Sequence, residues 1–374
     1  MPWKENTTMS QRQEFVQEAL KESANIRALC REYGITPRTG YKWIKRYQEQ
    51  GEAGLYDRSR CPRRSPRRSS PIIEEAVRRV RDTHPAWGGR KIQWKLAQEG
   101  IHPTPSASTI TAILHRQEMI PLPESDKHRP LQRFEMEHPN QLWQMDYKGH
   151  FEMGNGALCH PLTVLDDHSR FLIGLKACHA ERSKIVRIHL EIIFDCYGLP
   201  ERMLMDNGSI WQGYHTRLTF WLVRLGIQVV HGRAYHPETQ GKDERLHRTL
   251  KDELLSHQQF SDLNDCQDKF DTWRGIYNYE RPHQALGMQP PATRYQPSLR
   301  VFTGQFPLIE YEPDDILRTT DIHGRLYFHT KRFHVGKAFG ISQVAIRPTE
   351  VDGVFNVFFF KQRIAQINLL IDNP

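Results

Sequence analysis

Three short words of this sequence carry carboxylates in settings that suit metal chemistry: LWQMDYKG at 142–149, LMDNGS at 204–209 and HPETQGKDER at 236–245. Asp146 lies in an apolar run, where its charge is costly to bury unless a cation or a proton compensates it. Asp206 follows Met203, Leu204 and Met205 and precedes Asn207-Gly208, the pattern of a carboxylate at the end of a buried strand. Glu244 comes just after Gly241, at the head of a strong helical pattern. Two strand-borne carboxylates and one helix-borne one suit hard divalent ions such as Mg²⁺, which take few protein oxygens and leave positions open for phosphate and water. Acidic residues are common, so spacing alone does not single out this trio; the words around it do.

The segments YGLPERMLMDNGS, HPETQGKDERLHRTLKDEL and RPHQALGMQPPATRY closely resemble the core motifs of insertion-sequence transposases of the DDE, retroviral-integrase-like superfamily, and the likeness extends over most of the chain. The resemblance implies an RNase H-like core in which Asp146, Asp206 and Glu244 bind two Mg²⁺ (or Mn²⁺) ions, Asp146 bridging them. It also matches Lys251 to a basic position that contacts DNA near the scissile phosphate; the alternative is a surface lysine paired with His247 or Glu244. His236, Lys242 and His247, in and beside the same motif, are further DNA-binding candidates. One position departs from the family: residue 243 is Asp where an apolar residue is usual, so two adjacent carboxylates compete for one role. At about 100° per residue, Asp243 projects with Leu246, Leu250 and Leu254 toward the core, whereas Glu244 aligns with His247 and Lys251. Glu244 is the choice.

The surrounding elements follow from periodicity. Strands are expected at 142–151, 157–165 and 171–177, a helix at 184–197, a strand at 203–205, a helix at 212–225, a strand at 227–231, the Glu244 helix, and a helix at 263–279. Consecutive strands first and alternating strand and helix later indicate a mixed sheet. Asp166 and Asp167, in LDDHSR, fall between two strands and read as turn residues rather than rival ligands.

Upstream, 10–50 reads as three helices: Ser10 caps the first, which carries Phe15, Ala19 and Leu20, Asn25 caps the second, Gly34 turns, and Thr36-Pro37 opens the third. That is a helix-turn-helix. Gly40, Ile44 and Tyr47 face its core, leaving Arg38, Thr39, Lys42, Lys45 and Arg46 outward as DNA-binding candidates. DRSRCPRRSPRRSSP (57–71) holds six arginines and three prolines and cannot fold alone. Arg58, Arg60, Arg63, Arg64, Arg67 and Arg68 there form either a passive linker or, as favoured here, an arm along phosphates or in a minor groove. A second helical unit comprises 72–83, 89–98 and a helix to 117 capped by Ser106 or Ser108. Its HPAWGGRKI segment, with Trp87 and Arg90, resembles the start of a second helix-turn-helix in these transposases, Arg90 being a DNA contact; a purely structural three-helix unit is the alternative. Past Pro297 short strands at 325–329, 343–346 and 354–360, with Asp352-Gly353 as a hairpin turn, look like a small C-terminal β-barrel, with Lys331, Arg332, Lys337 and Arg347 as a modest basic surface.

Charge is uneven. The chain of 374 residues carries a net +8. Residues 1–70 hold 15 Lys and Arg against 8 Asp and Glu, residues 71–137 hold 10 against 9, and residues 138–374 hold 27 of each. The attraction to an anionic polymer is concentrated at the N-terminal end. Six cysteines, with no C-x-x-C pair, argue against a zinc knuckle or a disulfide framework. No apolar run reaches the roughly 18 residues of a membrane span, and no signal-peptide core is present.

The resulting expectation is a multidomain protein: an all-α helix-turn-helix domain at 1–56, an Arg/Pro-rich arm at 57–71, a second helix-turn-helix-like domain at 72–120, a linker at 121–137, an α/β RNase H-like core at 138–298 and an all-β barrel at 299–374. Its expected activity is metal-dependent 3′-end cleavage and strand transfer on double-stranded DNA, comprising the terminal inverted repeats of an element and a target. Paired ends imply a homodimer or higher oligomer, in the cytoplasm or with the nucleoid and without a membrane. The rivals are a non-catalytic helix-turn-helix regulator and a plain metal-dependent nuclease.

Overall fold

The computed structural model describes residues 8–58, 68–120, 135–206, 216–231 and 241–370. The chain divides into two compact units, residues 1–68 and 69–374, each taken by itself.

The first unit holds α1 (Thr8–Ala19), α2 (Ile26–Glu32) and α3 (Pro37–Gln50). The Asn25 side chain accepts from the Ala28 N–H and Thr36 from the Thr39 N–H, so two orphan donors are met at the expected caps. Phe15, Val16, Ala19, Cys30, Trp43 and Leu55 form the core. Ile44 and Tyr47 pack at its edge, Leu20 is exposed, and Trp43 is the large residue that the helical pattern passed over. Gly40 is required for close approach: a Cβ there would stand 2.5 Å from the Cys30 Sγ.

The second unit begins with α4 (Pro71–Thr83), α5 (Gly89–Gln98) and α6 (Ala107–Arg116), the last capped by Ser106 rather than Ser108. Val77, Val80, Trp87, Ile92, Leu96, Ile110, Ile113 and Leu114 close its core, against which Ile276 also packs. Polar links join this trio of helices to the rest of the unit. Glu253, its side chain 8% exposed, accepts from Lys91 at 2.8 Å and from the Arg281 Nε at 2.9 Å.

The central sheet is built from β1 (Leu142–Tyr147), β2 (Phe151–Glu152), β3 (Leu158–Asp166), β4 (Leu172–Cys178), β5 (Arg202–Met205) and β6 (Gln228–His231). It runs β2-β3-β1-β5-β6 with β4 also on β3; β1, β3 and β4 are antiparallel neighbours, and β1, β5 and β6 are parallel. The mixed sheet is therefore as expected. The 142–151 strand is in fact two, broken after Tyr147, where Gly149 takes a φ of +88° that suits glycine.

Period-two alternation splits β1 between two layers. Trp143, Met145 and Tyr147 join the core beneath α7 (Ser183–Tyr197) and α8 (Arg217–Arg224), which is continuous with the C-terminal strands. Gln144 and Asp146 point the other way, toward α9 (Gly241–Leu250) and α10 (Leu263–Gly275), whose Leu246, Leu250, Phe270 and Trp273 pack on Leu165, Leu172 and Leu175. A π-helical turn follows each of α9 and α10, at Lys251–Leu255 and Ile276–Glu280. Residues 212–215, expected to open α8, lie outside the described residues.

The C-terminal region differs from the expected barrel. β7 (Ile316–Thr319), β10 (Gln343–Pro348), β11 (Val354–Phe359) and β12 (Gln362–Asn368) form an open antiparallel sheet in the order β12-β11-β10-β7, and β8 (Arg325–Phe328) pairs with β9 (Lys331–His334) as a separate ribbon. No sheet closes among the described residues. The ribbon instead turns Leu326, Phe328, Phe333 and Val335 into the shared core.

Gly198 ends α7 at φ +76°, and a Cβ there would meet the carbonyl oxygens of Ser298 and Arg300 at 2.7 and 2.8 Å. Both are backbone atoms, so one of the two segments would have to shift. Gly198→Ala should lower the unfolding free energy by about 2 to 4 kcal/mol in a urea titration, combining positive-φ strain with overpacking. A loss below about 0.5 kcal/mol, the range of an ordinary surface substitution, would show that this junction tolerates displacement.

Candidate active site

The register of the parallel pair β1–β5 sets two of the acidic residues side by side. Gln144 stands opposite Leu204, so two residues on, Asp146 and Asp206 reach the same level at the carboxyl end of the sheet. The backbone carbonyl of Asp206 accepts from the His231 Nδ1–H at 3.1 Å, tying the end of β5 to the end of β6. α9 supplies Glu244 on its exposed side, while Asp243 turns inward with Leu246 and Leu250.

The electrostatics report how close these charges are. Burial raises the pKa of Asp146 first, the carboxylate of Asp206 adds most after it, and Glu181 and Glu244 add more; the result is about 7, despite the lowering effect of the Tyr147 N–H on its Oδ1. Asp243 is 2% exposed and its Oδ1 has no hydrogen-bond partner among the described residues. Burial, then the charges of Asp146 and Asp167, raise its pKa well above the usual carboxylate value. The face assignment read from the helical pattern therefore agrees with the burial of the two adjacent carboxylates.

Other side chains line the same ground. Thr163, opposite Asp146 on β3, donates its hydroxyl to the Asp146 carbonyl at 3.0 Å and lies 2.9 Å from the His247 Nε2. The other ring nitrogen of His247 stands 4.0 Å from the Asp146 carboxylate. Burial, assisted by Lys148, lowers the His247 pKa to about 4, so this imidazole is neutral at neutral pH. Glu181 was not singled out by sequence. β4 runs antiparallel to β3 and β3 to β1, so the end of β4 returns to the edge where β1 and β5 end, and the carboxylate just past it arrives beside Asp146. Topology, not local pattern, was the signal. Glu181 also holds the His160 Nδ1 at 3.0 Å.

Asp166 and Asp167, expected as turn residues, are fully buried and saturated. Asp166 accepts from the Asn140 and Ser169 N–H groups and the Ser169 hydroxyl; Asp167 accepts from Gln144, Met136 and Lys242. Lys242, a DNA-binding candidate, is thus drawn into an ion pair, its side chain 16% exposed. His247 is likewise inside. Lys251 and Arg90 are exposed, as are Arg38, Lys42 and Lys45 on α3. Two of the α3 candidates face out less than expected: Thr39 shares its hydroxyl with Thr36, and Arg46 is half-buried over the Trp43 ring, where Lys42 and Arg12 also stack. Arg58 bonds Gln50, and Arg68 is exposed; Arg60, Arg63, Arg64, Arg67 and His236 lie outside the described residues.

A carboxylate whose pKa is raised by burial and by neighbouring carboxylates fits a hard cation by its donor chemistry. Among the described residues, no three His, Cys, Asp or Glu side chains stand at metal-ligand spacing in this conformation. No helix among them is long and apolar enough to cross a membrane.

Comparison with known proteins gives matches along most of the chain. The integrase core domain matches residues 136–237 and again 225–291, a helix-turn-helix domain matches 11–66, a homeodomain-like domain matches 39–114, and the C-terminal domain of IS481 family transposases matches 315–373. The transposase for transposon Tn552 of Staphylococcus aureus is 24% identical over 304 residues, 71% of this chain and 62% of that protein. An uncharacterized 39.2 kDa protein of insertion element IS476 from Xanthomonas euvesicatoria is 28% identical over 155 residues, 41% of this chain and 44% of that one. These matches thus span less than two thirds of the relatives' own lengths. Among solved structures, the HTLV-2 integrase catalytic core domain in complex with magnesium aligns at 15% identity and a TM-score of 0.34, over 43% of this chain and 99% of that one. The chain thus combines, in one polypeptide, regions that match an integrase core domain, helix-turn-helix domains and the C-terminal domain of IS481 family transposases, and its relatives include a transposase and a protein of an insertion element.

Proposed function

We propose that this chain binds the ends of an insertion sequence and catalyses metal-dependent 3′-end cleavage followed by strand transfer into target DNA. The observation that supports the proposal is the raised pKa of Asp146, about 7, to which burial contributes most, the Asp206 carboxylate next, and Glu181 and Glu244 less. A scaffold retained only for DNA binding has no use for that repulsion.

Asp146, Asp206 and Glu244 would hold Mg²⁺ or Mn²⁺, two ions on this reading, and such ions supply an activated nucleophile and a stabilised leaving oxygen. In the first reaction, water adds to the phosphorus and the bond to the 3′ oxygen breaks, that oxygen leaving as a hydroxyl. In the second, this hydroxyl attacks a target phosphodiester and a target 3′ oxygen leaves. The chain's own side chains orient the acidic groups. His247, neutral at neutral pH, bonds the Thr163 hydroxyl and stands beside the Asp146 carboxylate without cancelling its charge, and burial beneath the site disfavours ionisation of Asp243.

Division of labour follows charge and exposure. The exposed Arg38, Lys42 and Lys45 face of α3 would enter a major groove, with Arg90 and Lys251 as further contacts; Lys242 and His247 shape the site instead. The arm, including Arg58, Arg60, Arg63, Arg64, Arg67 and Arg68, would follow phosphates between the two helical units. The six-part domain division given above, with 299–374 as a β module, is the organisation we propose. Two ends must be processed together, so a homodimer or higher assembly on DNA is expected, in the cytoplasm where chromosomal DNA is accessible.

The direct test incubates the purified chain with labelled element ends and Mg²⁺ and looks for nicked and joined products. Asp146→Asn, Asp206→Asn and Glu244→Gln should each reduce both products by at least a hundredfold while leaving end binding within about threefold, since each removes charge and little volume. Asp243→Asn should retain measurable cleavage. Equal activity in Glu244→Gln and the parent would take Glu244 out of the site. Because Asp146→Asn relieves repulsion, it should also raise the metal-free melting temperature at pH 8; a fall would mean that the carboxylate is paid for by contacts other than a cation.

The arm is tested by salt. Replacing Arg63, Arg64, Arg67 and Arg68 by Gln should flatten the log-log salt dependence of end binding by roughly two to four units, close to 0.9 per phosphate contact. An unchanged slope would make the segment a tether only.

A further inference from the structure

We propose that Asp167, acting through Lys242, is the positioning residue that holds Glu244 opposite Asp146. The inference rests on the reading of the acidic trio given above and assigns a task to a buried charge outside it.

Asp167 is fully buried and its two carboxylate oxygens serve three different segments. One oxygen accepts from the Gln144 Nε2 at 2.7 Å and from the Lys242 ammonium; the other accepts from the Met136 N–H at 2.8 Å. Its own N–H donates to the Leu142 carbonyl at 2.9 Å. Gln144 is two residues before Asp146 on β1, and Lys242 is two residues before Glu244 in the first turn of α9. A single carboxylate therefore grips both of the elements that bring acidic residues to the site, each just upstream of the residue that matters.

The need for such a grip is electrostatic. α9 begins at Gly241, and its first turn carries Asp243 and Glu244 toward Asp146, whose charge disfavours ionisation of Asp243 and whose own pKa Glu244 helps to raise. Hydrophobic contacts of Leu246 and Leu250 anchor the later turns but leave the first turn to be held by something else. Lys242 is the cation in that turn; its ammonium reaches the Asp167 carboxylate beside β1, and its charge also partly offsets the burial of Asp243. The arrangement pulls the turn toward the sheet. Partners that orient ligating groups in this way commonly change metal affinity by about 10- to 100-fold when removed.

The test is calorimetric titration of Mn²⁺ into the full-length chain, with circular dichroism as a check on folding. Lys242→Gln and Asp167→Asn should each weaken Mn²⁺ binding by about tenfold, Lys242→Arg should stay within about threefold of the parent, and in a Glu244→Gln background Lys242→Gln should cause no further loss. Mn²⁺ affinity equal to the parent in a folded Lys242→Gln variant overturns the proposal, as does a loss that persists undiminished in the Glu244→Gln background. If Asp167→Asn unfolds the chain, Lys242→Gln, at the rim of the pair, still decides; unfolding of both would show the pair to be structural and likewise overturn the assignment. A parent chain that binds no Mn²⁺ would remove the acidic-site reading itself, whereas normal parent binding with unaffected variants removes only this inference.

Discussion

Negative charge gathered where the chain cannot easily solvate it is the constraint that organises this molecule. Bringing Asp146, Asp206, Glu181 and Glu244 to one edge of a sheet opposes folding, and the raised pKa of Asp146 records part of that opposition. The fold withstands it because the opposing elements are held elsewhere. β1 is flanked on both sides by paired strands, α9 is fixed by Leu246 and Leu250, and the apolar faces beneath α7, α8 and the C-terminal strands bury Trp143, Met145 and Tyr147 from the same strand that bears Asp146. A cation placed among the carboxylates would turn the repulsion into attraction, so the charges that oppose folding also favour the ion.

Most polar groups buried around the site are paired, Gln144 Oε1 and Asp243 Oδ1 being exceptions among the described residues. Asp166 and Asp167 satisfy the turn after β3, Thr163 donates to the backbone carbonyl of Asp146, and His247 bonds the Thr163 hydroxyl. A second group of buried charges, Glu253 with Lys91 and Arg281, joins the α4–α6 unit to the end of the helix that carries Glu244. Removing one partner of such a buried set costs about 3 to 5 kcal/mol, because the other is left uncompensated. The junction between the α4–α6 helices and the core is thus itself a charged contact, continuous with α9.

Local rules made much of this legible. Asn25 and Thr36 cap the helices they were expected to open, Ser106 is the one of two candidates that caps its helix, and the apolar pattern located the start of β1 and both ends of β3 and β4 within a residue, while it ran β1 four residues too far. Helical projection separated Asp243 from Glu244 because burial in a helix depends on angle, which sequence states directly. What was not legible depends on contacts distant in the chain. Glu181 reaches Asp146 only through two antiparallel returns, and Lys242 reads as a surface cation until Asp167, 75 residues earlier, is seen beside it. Trp43 escaped for a different reason: it is covered in part by the stems of Arg12, Lys42 and Arg46, a form of burial that a purely apolar pattern does not register. The expected barrel gave way to an open sheet and a ribbon because closure depends on strand pairing, and β7, β9 and β12 carried too weak an alternation to be placed beforehand.

The most direct test of the account is a diffraction experiment on crystals grown with Mn²⁺, using its anomalous signal to locate the ions. The account predicts anomalous peaks within coordination distance of Asp146, with Asp206 and Glu244 as further ligands and Asp243 unligated. Peaks coordinated by Asp243 in place of Glu244, or an acidic edge without manganese at saturating concentration, would contradict it.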